Sequence, residues 1–147
     1  GYSNKGHDGF LGNAVLGEWC NLGADTNNSN LKNNYQSVDL YNYPEAKYLD
    51  TGLQFCGLVM GDHSKSAINT MFNTGTVVGV SANIYGADFP SKFIPSYSWG
   101  GRKPLEYKFD KAMDTAKRVM ERRNISLTEE DLNILEYVYK ESQKFRK

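Results

Sequence analysis

What most constrains this chain is a repeat of six residues. Leu16-Gly17-Glu18-Trp19-Cys20-Asn21 and Leu22-Gly23-Ala24-Asp25-Thr26-Asn27 share one pattern: an aliphatic residue, glycine, two variable residues, a small residue and a polar one. Met60-Gly61, Ser66-Ala67, Phe72-Asn73 and Val78-Gly79 open four further consecutive hexads, whose fifth residues are the small Ser64, Thr70, Thr76 and Ala82. Leu11-Gly12 stands five residues before Leu16-Gly17, one short of register. In a strand, residues two apart share a face. The fifth residue of one hexad and the first of the next therefore both point inward, and a narrow interior keeps the fifth small. Gly or Asn in second place is expected at the bend, since both tolerate positive φ. Three short strands and three bends close a circuit of about 18 residues, and stacked circuits bury ladders of like residues. A sandwich of ordinary strands does not hold a six-residue phase over four consecutive hexads. The expected fold is mainly β, a parallel β-helix of hexapeptide repeats. Its hand does not follow from the period.

Between residues 28 and 59 the phase lapses. Asn27-Asn28-Ser29-Asn30 and Lys32-Asn33-Asn34 read as a polar excursion, and Asp39 to Tyr48, with its Asn42-Tyr43-Pro44 turn, as an irregular loop leaving the coil. After Ser98-Trp99-Gly100-Gly101 the period becomes helical: Phe109, Ala112, Met113, Ala116 and Met120 recur at three- and four-residue steps. Ser126 and Glu129 have the spacing of a capping box for a second helix, with Leu132, Leu135, Val138 and Tyr139 on one face. The expected organisation is a β-helix over 1–101 with an irregular loop near 28–59, then a C-terminal α-helical tail over 102–147. Such a tail is expected to cap the open end of the coil or to pack on a neighbouring subunit.

Lys plus Arg and Asp plus Glu number 17 each, so no global field recruits nucleic acid or an anionic membrane. No apolar run approaches the roughly 20 residues that span a bilayer. The polar start, Gly1-Tyr2-Ser3-Asn4-Lys5, is unlike a signal peptide. Cys20 and Cys56 have neither metal-ligand nor disulfide-framework spacing, which points to a reducing, cytoplasmic setting. Cys20, at a small inward position, is expected in the core. His63, fourth in its hexad, is expected to face solvent, and Trp99 to anchor the tail.

Gly6-His7-Asp8-Gly9-Phe10-Leu11-Gly12, Asn21-Leu22-Gly23-Ala24-Asp25-Thr26 and Asn30 resemble the C-terminal acetyltransferase domain of the bifunctional uridyltransferase family that makes UDP-N-acetylglucosamine. In that family a His lies four residues before a Leu-Gly pair, an Asn precedes the Leu-Gly-Ala hexad, and a second Asn follows nine residues later; His7, Asn21 and Asn30 match. Leu31-Lys32-Asn33-Asn34-Tyr35 and Ile94-Pro95-Ser96-Tyr97-Ser98-Trp99-Gly100-Gly101 also look like a related branch of sugar-nucleotidyltransferase-like proteins.

The resemblance implies a left-handed coil and a homotrimer with sites shared between subunits. It also implies an N-terminal nucleotidyltransferase domain ahead of this chain. His7 would be the general base, taking a proton from the amine of an amino-sugar 1-phosphate as the nitrogen attacks the thioester of acetyl-CoA. Asn21 and Asn30 would orient the sugar and its amine, with Phe10 and Lys32 beside them. Ala24, Lys65, Arg102 and Lys103 would meet the coenzyme; no metal is implied. Two departures stand out: Phe10 and Leu31 occupy positions where the family usually has Tyr, and the family's sugar-binding Lys falls near Gln36, with Lys32 as a displaced substitute. Phe10 and Leu31 favour an alternative, a non-catalytic trimerisation coil of a sugar-1-phosphate nucleotidyltransferase, whereas His7, Asn21 and Asn30 favour acyl transfer. A γ-class carbonic anhydrase needs three His on zinc, and the chain has two.

Overall fold

The computed structural model describes residues 1–146. Its strands, in chain order, are β1 (Val15–Leu16), β2 (Asn21–Leu22), β3 (Asn27–Asn28), β4 (Asp39–Asn42), β5 (Lys47–Asp50), β6 (Val59–Met60), β7 (Lys65–Ser66), β8 (Met71–Phe72), β9 (Val77–Val78), β10 (Asn83–Ile84), β11 (Phe93–Ile94), β12 (Ser98–Trp99) and β13 (Leu105–Glu106). Apart from β4, β5 and β13, they visit three parallel sheets in rotation. β1, β6, β9 and β11 form one sheet; β2, β7, β10 and β12 the second; β3 and β8 the third. Val59 lies opposite Val77 and Lys65 opposite Asn83, so the chain returns to the same sheet eighteen residues later. Cys20, Leu22, Leu58, Met60, Phe72, Val78, Ala82, Ile84 and Ile94, drawn from all three sheets, close one core.

The hexad explains this core residue by residue. The expected inward positions Ser64, Thr70, Thr76 and Ala82 are all at most 3% exposed, as are Met60, Phe72 and Val78. The small residues are mostly hydroxyl-bearing for a local reason. Thr70 donates to the Ala67 carbonyl (2.8 Å), Thr76 to Asn73 (2.7 Å) and Ser98 to Pro95 (2.7 Å), each from fifth place to second place of its own hexad. A buried hydroxyl is thereby satisfied and the bend is pinned. Asn28 occupies a first position where an aliphatic residue is expected. It is 2% exposed, and its amide both accepts from Gly12 N and donates to Gly12 O, each at 2.9 Å.

The bend itself is not where the sequence pattern suggests. Positive φ falls on the fourth residue of the hexad: Trp19 (60°), Asp25 (55°), His63 (60°), Asn69 (57°), Gly75 (68°), Ser81 (53°) and Tyr97 (58°). The second-place glycines serve close approach instead. A Cβ on Gly61 would lie 2.9 Å from the carbonyl carbon of Gly79, and one on Gly23 would lie 2.6 Å from that of Ala67. Backbone of the next circuit fills the space that a side chain would need.

The segment expected to be an irregular loop contains a regular antiparallel hairpin, β4 with β5, pairing Asp39 with Asp50 through Asn42 with Lys47. Period-two alternation in so short a stretch is overshadowed by the surrounding polar residues. Tyr41 of this hairpin stacks on Phe93 of β11 at 3.6 Å, which returns the excursion to the body of the chain.

Two helices follow, α1 (Phe109–Glu121) and α2 (Glu129–Glu141). Ala112, Met113, Ala116 and Met120 form the buried stripe of α1. The capping box of α2 is Thr128 with Asp131, not Ser126 with Glu129: Asp131 N donates to Thr128 Oγ1 (3.1 Å) and Thr128 N to Asp131 Oδ2 (3.0 Å). Leu127, just ahead of this cap, packs against the second core, and that contact fixes where the helix starts. The helices lie beside the strands, packing Ala112, Met113 and Leu135 around Tyr97 and Val80. The edge of the second sheet is covered by β13, antiparallel to β12, rather than by a helix. Arg146, 9% exposed in its side chain, clasps the end of the chain by donating to Ser96 O (3.0 Å), Ser142 Oγ (2.6 Å) and Tyr139 O (2.9 Å).

This division of labour within the hexad is testable by urea unfolding. Gly79→Ala forces a methyl into the Ser96 backbone, 2.7 Å from its Cα, and is expected to cost about 1–3 kcal/mol. Ser81→Gly relieves a left-handed residue and removes a buried, unpartnered hydroxyl, and is expected to be neutral or stabilising by up to about 1 kcal/mol. The reverse order would show that the second position is the bend after all.

Candidate functional site

Residues 4–10 run alongside residues 21–28 of the next circuit. Asn4 bridges Asn21 in parallel, Asp25 N donates to Asp8 O (2.8 Å), and Asn28 N donates to Phe10 O (2.9 Å). His7 therefore stands level with Ala24. It is exposed, in a bend held by Lys5, whose Nζ donates to the carbonyls of His7 (2.9 Å) and Asp8 (2.7 Å). The imidazole is thus carried on a fixed backbone, with its ring directed to no protein partner among the described residues.

Asn21 and Asn30 have structural partners. Asn4 Nδ2 donates to Asn21 Oδ1 (3.2 Å), and Asn30 Nδ2 donates to Asn13 Oδ1 (2.8 Å). Both pairs are seventeen residues apart, one circuit. The nine-residue spacing of Asn21 and Asn30 is repeated beneath them by Asn4 and Asn13, so an asparagine ladder accounts for the spacing by itself. The pairing leaves the amide nitrogen of Asn21 and the amide oxygen of Asn30 for other partners.

The remaining expected residues are dispersed. Phe10 is 54% exposed, and its ring lies over Gly12. Lys32 donates to Ser37 O (2.6 Å) within the excursion and lines a cleft of 520 Å³ with Asn73 and Lys92. Asn21 and Lys65 line a different cleft, of 570 Å³, beside Trp19. Arg102 and Lys103 line a third, of 730 Å³, together with Tyr41, Tyr48 and Phe93. Arg102 lies 3.5 Å from Asp88, both side chains 75% exposed, an ion pair of little energetic weight. His7, Phe10, Ala24 and Asn30 line none of these three clefts. Within one chain, then, His7, Ala24, Asn21 and Asn30 fall on two adjacent circuits and Lys65 lies opposite Asn21 on the next, while Lys32, Arg102 and Lys103 do not join them.

His63 corrects the sequence reading. As fourth residue of its hexad it was expected in solvent, yet it belongs to a stack on one corner: Tyr2 on Trp19 at 4.2 Å and Trp19 on His63 at 6.3 Å. The backbone repeats there, Trp19 N donating to Gly1 O, His63 N to Glu18 O, Ser81 N to Asp62 O and Tyr97 N to Val80 O. The signal was present in the sequence as aromatic rings recurring in fourth place (Trp19, His63, Tyr97), but only the αL turn brings them into one column. Burial, with Lys65 nearby, holds the His63 imidazole below its ordinary pKa against the opposing pull of Asp62, Asp131 and Glu18. Its Nδ1 is buried without a partner. Cys20, 1% exposed, lies as expected in the core; burial pushes its thiol up, and Sγ donates to Gly61 O (3.2 Å), which suits filler and not a nucleophile.

Among the described residues no group of three His, Cys, Asp or Glu side chains is placed to hold a metal ion, and no helix is long and apolar enough to cross a membrane. A scan against protein-family models finds no match, and a search of curated proteins finds none either.

His63 makes stability depend on pH. Its folded pKa lies below the unfolded value of about 6.5, so the unfolded chain binds the proton more readily. The stabilisation is complete above about pH 6.5 and is lost as the pH falls toward the lowered folded value. Thermal melts from pH 7.5 to about 5 should therefore show a fall in Tm that His63→Asn, a residue at ease with φ near 60°, reduces. An unchanged fall in the variant would assign the acid sensitivity to other groups.

Proposed function

We propose that the strand rotation is a left-handed parallel β-helix and that the chain is the CoA-dependent acyltransferase part of a sugar-nucleotide enzyme. The acceptor is the amine of an amino-sugar 1-phosphate, and the donor is acetyl-CoA. The eighteen-residue return of the chain to each sheet supports the β-helix. The observation that carries the activity is the position of His7: an exposed imidazole on a backbone tethered by Lys5, level with Ala24, on circuits that also hold the Asn21 and Asn30 amides. The family reading rests on those motif residues alone.

His7 acts as general base, accepting the proton released as the amine nitrogen attacks the thioester carbonyl. Direct attack needs no enzyme nucleophile, in keeping with a buried Cys20. The free ends of Asn21 and Asn30 hold the sugar. Arg102 and Lys103, beside Tyr41 and Tyr48, suit the phosphates and base of the coenzyme, and in a homotrimer they would serve a neighbouring subunit's His7. Exposed Phe10, Ile68 and Met71 on the side of β3 and β8 give such a trimer an apolar contact. The partner domain is a nucleotidyltransferase, and the setting is cytoplasmic.

A second reading, a non-catalytic trimerisation coil, draws on the asparagine ladder: Asn21 and Asn30 have structural roles that need no substrate. Acetyl-CoA turnover by the full-length protein on a panel of amino-sugar 1-phosphates separates the two. Acyl transfer predicts thiol release that His7→Ala lowers by about 10²–10⁴-fold, the usual range for a general base. No turnover from a trimer that still makes sugar nucleotides selects the scaffold. Light scattering on the same sample is expected to give three chains per particle, and Met71→Glu to lower that number.

A further inference from the structure

The cleft between the second sheet and the end of α1 has an electrostatic character that the roles given above to His7, Arg102 and Lys103 leave unexplained. Lys65, from an interior strand of the sheet, and Arg122 and Arg123, from the end of α1, line it, and no carboxylate does. Among the described residues none of the three cations is in an ion pair. Lys65 is the informative one. Its ammonium is held below its ordinary pKa by burial, no carboxylate offsets that cost, and its one protein bond is to the His63 carbonyl (2.8 Å). Withdrawing a charge from water without a counter-charge is costly. The negative end of α1 accounts for two arginines at that terminus, but it does not account for a lysine on a strand.

The geometry points to a binding site for a phosphate-bearing small molecule in this cleft. Its phosphate is held by Lys65, Arg122 and Arg123, and its carbon skeleton lies against Asn21 and the Trp19 edge. Two guanidinium forks and an ammonium match the three acceptor oxygens of a phosphate monoester better than the two of a carboxylate. The Asn21 amide nitrogen, left over from its pairing with Asn4, adds a neutral donor for a hydroxyl. A volume of 570 Å³ suits a small ligand, within the range of roughly 300–1,000 Å³ usual for such sites. The site shares Asn21 with the proposed acyl-acceptor site but requires neither His7 nor a coenzyme, so a loss of acyl transfer in His7→Ala would leave it untouched.

The test is calorimetric titration of the full-length protein with inorganic phosphate and, separately, with glucose 1-phosphate, following Trp fluorescence in parallel. Arg122 and Arg123 are exposed, so the double variant Arg122→Ala/Arg123→Ala opens no core. Binding of at least one probe is expected, weakened about tenfold or more in the double variant and in Lys65→Met, and by added salt. Lys47→Ala/Lys140→Ala, exposed cations outside this cleft, is expected to leave it unchanged. Tighter binding of glucose 1-phosphate than of phosphate supports an organic phosphate, and the reverse order supports the free anion. Absence of binding by both probes overturns the proposal. So does binding that survives Lys65→Met and the double variant, or that falls equally when Lys47 and Lys140 are removed.

Discussion

The bend at the fourth residue of each hexad is the constraint on which the rest of this structure depends. A left-handed residue there turns the chain into the next sheet, and its N–H is bonded to the circuit before it, as in His63 to Glu18 and Tyr97 to Val80. Asp25, Asn69 and Gly75 take this conformation at little cost, whereas Trp19, His63, Ser81 and Tyr97 carry a penalty of about 1–2 kcal/mol each. Ring stacking and the helical cover around Tyr97 offset that penalty where the costly residues cluster. Hydroxyls in fifth place pin the same bends from inside, and second-place glycines let the next circuit come close.

Because each circuit settles only against its neighbours, departures from the repeat are carried outward. The excursion between β3 and β6 leaves and returns at neighbouring sheets, and the hairpin is fixed by Tyr41 on Phe93. The helices lie along the aromatic corner, with Tyr97 OH donating to Leu135 O (2.8 Å) and Arg146 spanning from Tyr139 to Ser96. Clefts arise where these additions meet the strands, and the one between Lys65 and the end of α1 is lined by three cations and no carboxylate. A regular scaffold supplies rigid positions, and the elements laid on it supply the recesses.

The candidate chemistry is divided in the same way. His7, Ala24, Asn21 and Asn30 follow the repeat, so their relation to one another is that of adjacent circuits. Lys65 also follows the repeat, opposite Asn21, whereas Arg102 and Lys103 line a cleft beside the hairpin and within a single chain lie apart from His7. A trimer is what would reunite them under acyl transfer, whereas an anion at Lys65 needs no second chain.

The repeat period alone determined the inward residues, since alternation along a strand and a six-residue phase leave one choice of face: Met60, Ser64, Phe72, Thr76 and Val78 were legible before any coordinates. The helical stripe from Ala112 to Met120 was legible for the same kind of reason, a period of 3.6. What the sequence did not decide was which residue of the hexad turns, because glycine in second place has two possible uses, conformational freedom and close approach, and only the neighbouring backbone distinguishes them. Nor did it decide that His63 is half-buried, that the helix cap sits at Thr128, or that Asn21 and Asn30 are paired to Asn4 and Asn13. Each of these depends on contacts between residues a circuit or more apart, and such contacts exist only once the circuits are stacked.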